Sequence, residues 1–420
     1  MLRILTVDGR LLFATRVVRL FAYGFLSVVL VLYLIKVGLS EVQVGLLLTL
    51  TLVGDAAVSL WITTTADRLG RQRMLLLGAG LMFLAGVAFV LTGDFLLLTL
   101  AAIIGVISPS GYEVGPFLSI EQAALSQIIS DKQRTRIFAW YNLVGSFATA
   151  LGALCGGALA QALEGLGNTP LASYRAVVIG YAALGLVLGL FFSRLSPAVE
   201  AGAIRERQPR RGSATAPTHR FGLHRSRGVV LRLSALFALD AFGGGLVIQS
   251  IVAYWFHIRF GVEPALLGGI FFGANILAGI SALAAAKIAD RIGLINTMVF
   301  THIPSNLLLM LVPLMPSLPL AITVLLMRFS ISQMDVPTRQ SYTMAVVSPD
   351  ERSAAAGVTG IARSIGASLS PSLAGALLGT PLLLSVPFFL AGGLKIVYDL
   401  TLYRAFRSIR PPEEEGVART

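Results

Sequence analysis

The sequence predicts an all-α integral membrane protein, with twelve transmembrane helices in two related six-helix bundles. Three observations predict it. The first is composition: the 420 residues are 55% hydrophobic and only 13% charged, with a mean hydropathy of +0.80. A soluble chain carries about a quarter charged residues, so most of this surface must face lipid. The second is segmentation. The apolar stretches are numerous, continuous, rich in Leu, Ala and Gly, and free of period-two alternation, which implies spanning helices of about 20 residues rather than barrel strands. The third is an internal repeat. Gly38, Gly45, Asp67, Arg68 and Gly70 recur 223 positions later as Gly261, Gly268, Asp290, Arg291 and Gly293. A duplicated run of hydrophobic helices is a common plan of secondary transporters.

The spans follow from the punctuation between apolar runs. They fall at approximately 10–35, 41–64, 73–92, 95–129, 137–161, 174–193, 229–256, 264–287, 295–313, 319–346, 354–378 and 383–405. The first and second meet at the polar turn around Gly38, and the seventh and eighth at its copy around Gly261. The second and third are separated by the corner Ala66-Asp67-Arg68-Leu69-Gly70, and the eighth and ninth by Ala289-Asp290-Arg291-Ile292-Gly293. The fourth and fifth meet at SDKQRT (130–135), which matches SPDERS (348–353) between the tenth and eleventh. The stretch 194–228 is polar and rich in Pro, Arg and Ser, and reads as a linker. The tail 407–420 is charged and reads as disordered. The expected organisation is a first bundle at 1–193, a linker at 194–228, a second bundle at 229–406 and the tail at 407–420.

Charge gives the orientation. The formal net charge is +12. Arginines crowd the linker, and more basic residues sit at Arg71, Arg73, Lys132, Arg134 and Arg136, while alternate loops are nearly bare. This positive-inside pattern places both termini and the linker in the cytoplasm, as expected for a multi-pass protein of the cell's inner (plasma) membrane. It also explains the basic balance without nucleic acid as a partner. The single cysteine, Cys155, excludes an internal disulfide. The four histidines show no metal-ligand spacing, no phosphate-binding loop is present, and no nucleophile–base constellation appears. No cofactor, no metal and no enzymatic activity are expected, and a monomer suffices.

At 66–73 the chain resembles the major facilitator superfamily, whose loop between the second and third helices carries G-x-x-x-D-[RK]-x-G-[RK]-[RK]. Asp67, Arg68, Gly70, Arg71 and Arg73 fit its latter part. The leading glycine is Thr63 here, and Leu294 and Ile295 replace the basic residues after Gly293 in the second copy. The resemblance implies a conformational latch built from Asp67, Arg68, Gly70, Arg71, Arg73, Asp290, Arg291 and Gly293, with Asp67 at a helix terminus where it meets arginines. The fifth helix resembles the G-P-x-x-G-G motif of the drug/proton antiporter branch at Gly152, Gly156 and Gly157, with Ala153 in place of proline. The eleventh carries Pro371 and Gly375 at matching positions. Small residues at this spacing let helices approach closely, and Pro371 can bend one.

Ionisable side chains inside the bilayer are the site candidates, since each costs about 3 kcal/mol or more unless it faces a cavity or a partner. Glu121 and Arg339 lie nine residues from their corners at 130 and 348. That is roughly 13 Å deep, close to the midplane of a core about 30 Å thick. Asp55, Asp240 and Arg363 reach similar depths. In the family that the chain resembles, the first, fourth, seventh and tenth helices line the cavity. That resemblance makes Arg16, Arg19, Glu113, Asp335 and Arg339 candidates for the substrate cavity, with Gln249 and Asn275 as polar contacts. A carboxylate in a low-dielectric cavity can exchange protons near neutral pH, so the proton-coupling candidates are Glu121 first, then Asp240 and Asp55. Glu121 is expected to pair with Arg339 across the repeat, and Asp55 with Arg363 as a static tie. Glycines 243–245 and the Pro109–Pro116 region are expected to interrupt the seventh and fourth helices.

The expected function is proton-coupled secondary transport of a small organic solute by alternating access, with export favoured over uptake. The alternative within transport is an organic-anion symporter, exchanger or uniporter that uses Arg339. The alternative from another class is a non-transporting scaffold or sensor.

Overall fold

The computed structural model describes residues 6–129, 131–200, 225–348 and 351–407. The central part of the linker, 201–224, and the tail from 408 lie outside the described residues, as do the side chains of 131–136. The described chain is helical, without a strand. Its helices are α1 (Val7–Ser27), α2 (Leu30–Val37), α3 (Glu41–Leu69), α4 (Arg71–Leu91), α5 (Phe95–Ile104), α6 (Phe117–Ile128), α7 (Asp131–Gly165) and α8 (Pro170–Ser193). After the linker come α9 (Arg227–Gly245), α10 (Gln249–Phe260), α11 (Pro264–Ile292), α12 (Leu294–Leu311), α13 (Leu318–Phe329), α14 (Asp335–Ala345), α15 (Arg352–Leu378) and α16 (Val386–Phe406).

These sixteen helices map onto the twelve expected spans because four spans are broken. The first is α1 and α2, bent by 48°. The fourth is α5 and α6, parted by 105–116, where Gly111 and Gly115 take positive φ of 73° and 81°. The seventh is α9 and α10, parted at 246–248 directly after the glycine run, and the tenth is α13 and α14, parted at 330–334. Among the described residues, eight helices are long and apolar enough to cross a membrane, or nine with the bent first pair counted as one. The helices α5 and α13 are apolar but short, because each is one half of a broken span.

Local chemistry sets the ends. Ser40 and Gln43 form a capping box at the start of α3, Asp94 caps α5 and Thr169 caps α8, each accepting an otherwise orphan backbone N–H. Both copies of the repeat turn at glycines in the left-handed half of φ space. Gly38 (113°) matches Gly261 (64°), and Gly70 (103°) matches Gly293 (86°). A side chain at these four positions is strained.

The chain forms two compact units, Met1–Ala214 with Gln249–Phe272, and Thr215–Ile248 with Gly273–Thr420. In the first, α1 packs on α7 through glycines. A Cβ at Gly24 would strike the carbonyl of Thr149, one at Gly152 that of Phe21, and one at Gly156 that of Phe25. Likewise α4 meets α8 at Gly86 and Gly185. In the second unit, α9 packs on α15 through Gly245 and Gly366, and α12 on α16 through Gly392. Leu233, Phe237, Met298, Tyr342, Tyr398 and Phe406 fill its interior. The same helix pairings, first with fifth and third with sixth, thus recur in each half.

Candidate functional site

Each unit holds a buried network of ions. In the first, two arginines one turn apart on α1 meet two glutamates from the broken fourth span. Arg19 is fully buried. It grips Glu121 with two nitrogens, Nη1 to Oε1 at 2.7 Å and Nη2 to Oε2 at 2.7 Å, and reaches Glu113 Oε1 through Nε at 2.8 Å. Arg16 donates to Glu113 Oε2 at 2.6 Å, to the Tyr141 carbonyl at 3.0 Å and to Asn142 Oδ1 at 3.3 Å. The hydroxyls of Thr15, at 2.8 Å, and of Tyr141 also donate to Glu121. Glu121 is therefore a fully partnered carboxylate with no exposed surface. Glu113 keeps 17% of its side chain open, because the 105–116 break carries it out of the helical wall.

In the second unit Asp240, on α9, is the hub. Lys395 Nζ lies 2.5 Å from its Oδ1, Arg339 Nη1 3.2 Å from Oδ2 and Arg363 Nη1 3.5 Å from Oδ2. Arg339 also binds Asp335, four residues earlier on α14, at 2.8 Å. Behind the hub, His302 Nδ1 lies 2.8 Å from Asp399 Oδ1, Asn306 donates to Asp399 at 3.2 Å, and His302 Nε2 stands 3.8 Å from Asp240. Opposite charges buried together in this way avoid the cost of an uncompensated ion.

The expected partnerships are redrawn by this geometry. Glu121 pairs with Arg19 rather than Arg339, because α1 places a guanidinium within bidentate reach. Arg339 pairs with Asp335 and Asp240, because a four-residue spacing stacks two side chains on one helix face. Arg363 goes to Asp240, while Asp55 is half-buried and accepts from the Ser59 hydroxyl at 3.4 Å. Arg16, Arg19, Glu113 and Glu121 come together, as do Asp240, Asp335 and Arg339. Gln249 donates to Ser27 at 2.8 Å within the first unit, and Asn275 is buried in α11. Tyr141, His302, Lys395 and Asp399 are members that the sequence reading missed. Lys395 and Asp399 were legible by the rule that selected Asp240, being ionisable groups inside an apolar helix. Tyr141 carries no charge to draw notice.

The corner at 66–73 is tied down locally. Arg71 donates to Asp67 at 2.8 Å, to Gln127 at 2.8 Å and to the Val199 carbonyl at 3.1 Å. The Glu200 carboxylate accepts the first two backbone N–H groups of α4, from Arg71 at 2.7 Å and Gln72 at 3.1 Å. This places a negative charge at the positive end of a helix. Glu351 does the same before α9, accepting from the Arg225 and Ser226 backbones at 2.9 Å each. Asp67, Arg68 and Arg73 are exposed, as are Asp290 and Arg291 in the second copy.

Residues 12–371 match the model of the Major Facilitator Superfamily. The chain belongs to that superfamily. It is a multi-pass membrane transporter and not an enzyme. An uncharacterized membrane protein of Saccharomyces cerevisiae (strain ATCC 204508 / S288c), YJR124C, is 31% identical over 424 residues, covering 96% of this chain and 94% of that protein. Similar solved folds include the nucleoside transporter NupG, with TM-score 0.71 and 14% identity over 96% of this chain and 99% of that one. A D-xylose–proton symporter has TM-score 0.69 and 15% identity over 94% of this chain and 97% of that one. At these identities the likeness is one of fold. The superfamily membership agrees with the motif at Asp67–Arg73.

Proposed function

We propose that the protein moves a small organic solute by alternating access between the bundles at 1–193 and 229–406, coupled to protons, with export the favoured direction. One observation carries this reading. Each unit concentrates acids and bases on its apolar spans, and in each network one member stays exposed: Glu113, 17% at its side chain, in the first and Arg363, 36%, in the second. A static tie between helices has no use for an ion left exposed. A proton-exchanging carboxylate needs a path to water, and this moves Glu113 ahead of Glu121, with Asp240 and Asp55 retained as candidates. The small-residue contacts of Gly152, Gly156 and Gly157 keep the likeness to the antiporter branch, which favours export. The corner at Asp67–Arg73 and its copy at Asp290–Gly293 serve as latches. The basic loops favour cytoplasmic termini in the inner (plasma) membrane.

The second reading, an organic-anion carrier, is favoured by Arg363. Arg339 is 7% exposed and bound by two carboxylates, so it is a poorer anion site than its sequence position suggests.

The test is reconstitution in vesicles loaded with a pH-sensitive dye, with candidate solutes added in turn and Glu113→Gln and Asp240→Asn run beside the wild type. A solute-triggered pH change in the wild type that either variant abolishes supports proton coupling. Solute movement without a pH change overturns it.

A further inference from the structure

Resting on the transport reading, we infer that Arg363, with the open face of α15 formed by Gly357, Gly360 and Ser364, is the subsite for the anionic group of the solute, a single carboxylate. The argument begins with local charge. Around Asp240 three cations, Lys395, Arg339 and Arg363, face two carboxylates, Asp240 and Asp335. The third carboxylate nearby, Asp399, lies behind the hub on His302 and Asn306. Three cations thus share two carboxylates in direct contact, and one of the three has no carboxylate to itself.

Geometry says which cation that is. Lys395 is 10% exposed and 2.5 Å from Asp240, and Arg339 is 7% exposed with two carboxylates. Arg363 has the longest contact, 3.5 Å, and the greatest exposure, 36%. If Arg363 turned away, Asp240 would keep Lys395 and Arg339. Releasing Arg363 to a solute therefore strands no buried acid.

Arg363 lies eleven residues into α15 from Arg352, roughly 16 Å along the axis and so near mid-bilayer. A guanidinium more than a third open at that depth cannot face hydrocarbon at tolerable cost, so its open edge faces water. Beside it the helix is stripped of side chains. Gly357, Gly360 and Ser364 fall on one face by helical spacing, all three are exposed, and a Cβ at either glycine would meet nothing within 4 Å. The apolar residues Ile361, Ile365 and Leu369 lie further round the helix and are also exposed. The result is an open helix face with two glycines, a hydroxyl at its edge and, beside it, a planar donor that matches a carboxylate. One guanidinium edge presents one pair of parallel donors, which a single carboxylate fills.

Cysteine chemistry tests this in the full chain without requiring transport, so its failure is distinct from failure of the transport reading. The background is Cys155→Ser, which removes the single native cysteine. Ser364→Cys, which leaves Arg363 in place, is reconstituted in lipid nanodiscs. It is labelled with the sulfonatoethyl (anionic) and trimethylammonioethyl (cationic) methanethiosulfonates. The anionic reagent is expected to react faster by at least about tenfold, and adding Arg363→Gln to cut that ratio severalfold or more. Benzoate is expected to slow anionic labelling and benzamide, its uncharged isostere, to leave it unchanged. No labelling by either reagent, a ratio untouched by Arg363→Gln, or equal effects of benzoate and benzamide would overturn the assignment. If Ser364→Cys fails to fold, Gly360→Cys probes the same face with the same expectations.

Discussion

Replacing Arg19 by methionine removes three charge-assisted hydrogen bonds at once, two to Glu121 at 2.7 Å and one to Glu113 at 2.8 Å. Glu113 keeps Arg16, but Glu121 keeps only the hydroxyls of Thr15 and Tyr141. It then stands as an ion without a counter-charge in a site with no exposed surface. Breaking one side of a buried pair typically costs about 3–5 kcal/mol. At roughly 2 °C per kcal/mol for a chain larger than 150 residues, the unfolding midpoint should fall by about 6–10 °C. Arg19→Met combined with Glu121→Gln removes both charges and should recover most of that loss, because the stranded ion rather than the lost contacts dominates. The assay is thermal unfolding of purified protein in detergent, followed by tryptophan fluorescence. A single variant within about 1 °C of wild type, or a double variant less stable than the single, would refute the reasoning.

Three further outcomes are expected. Asp240→Asn leaves Lys395 and Arg363 without a carboxylate in contact and Arg339 with Asp335 alone, whereas Lys395→Met leaves Asp240 with two arginines. The first should lower the unfolding midpoint more than the second, and the reverse order would show that Asp240 is not the hub. Gly152→Ala drives a Cβ into the backbone of α1, with Phe21 C at 2.8 Å and Phe25 N at 2.9 Å. It should cost about 1–3 kcal/mol and reduce the monodisperse yield on size exclusion, while Gly165→Ala, where nothing lies within 4 Å, should match wild type. Glu200→Gln halves the acceptors at the start of α4 and removes the charge that faces the helix dipole. A loss near 1 kcal/mol should appear as faster hydrogen exchange at the Arg71 and Gln72 amides, and unchanged exchange would mean that the cap is redundant.

Much of the fold was legible because membranes impose simple rules. Every lipid-facing span must satisfy its backbone internally, so apolar length alone finds helices such as α4 and α8. The repeat was legible for a stereochemical reason. Gly38 and Gly261, and Gly70 and Gly293, hold backbones that other residues rarely adopt, so the glycines persist where neighbouring side chains have changed. The broken spans were partly legible: glycines 243–245 and Pro109–Pro116 marked two of them. The break at 330–334 had a signal too, since Pro337 in the first turn of α14 has no N–H to carry a helix on from residue 333. The bend between α1 and α2 carries no comparable one.

The site was legible by residue type but not by partner. Burial cost selects Arg16, Arg19, Glu113, Glu121, Asp240 and Arg339 from the sequence, since an intramembrane ion is rare enough to mean something. The same rule reaches Lys395 and Asp399 when applied to α16. Pairing is another matter, because repeat symmetry is a statement about positions whereas ion pairing acts over a few ångströms. The symmetry match of Glu121 with Arg339 therefore gave way to Arg19 at 2.7 Å and Asp335 at 2.8 Å.

The sequence by itself determined the solvent, the class of element, the duplication and the list of buried charges, because each follows from hydropathy, glycine stereochemistry or the cost of an ion in hydrocarbon. Only the tertiary structure decided which charges compensate one another, that Glu200 caps α4, and that Arg363 and Glu113 are the ions left open. Those outcomes depend on where helices distant in sequence come within hydrogen-bonding reach, and a Coulomb contact at 2.7 Å differs from none at all by a displacement that no residue pattern encodes.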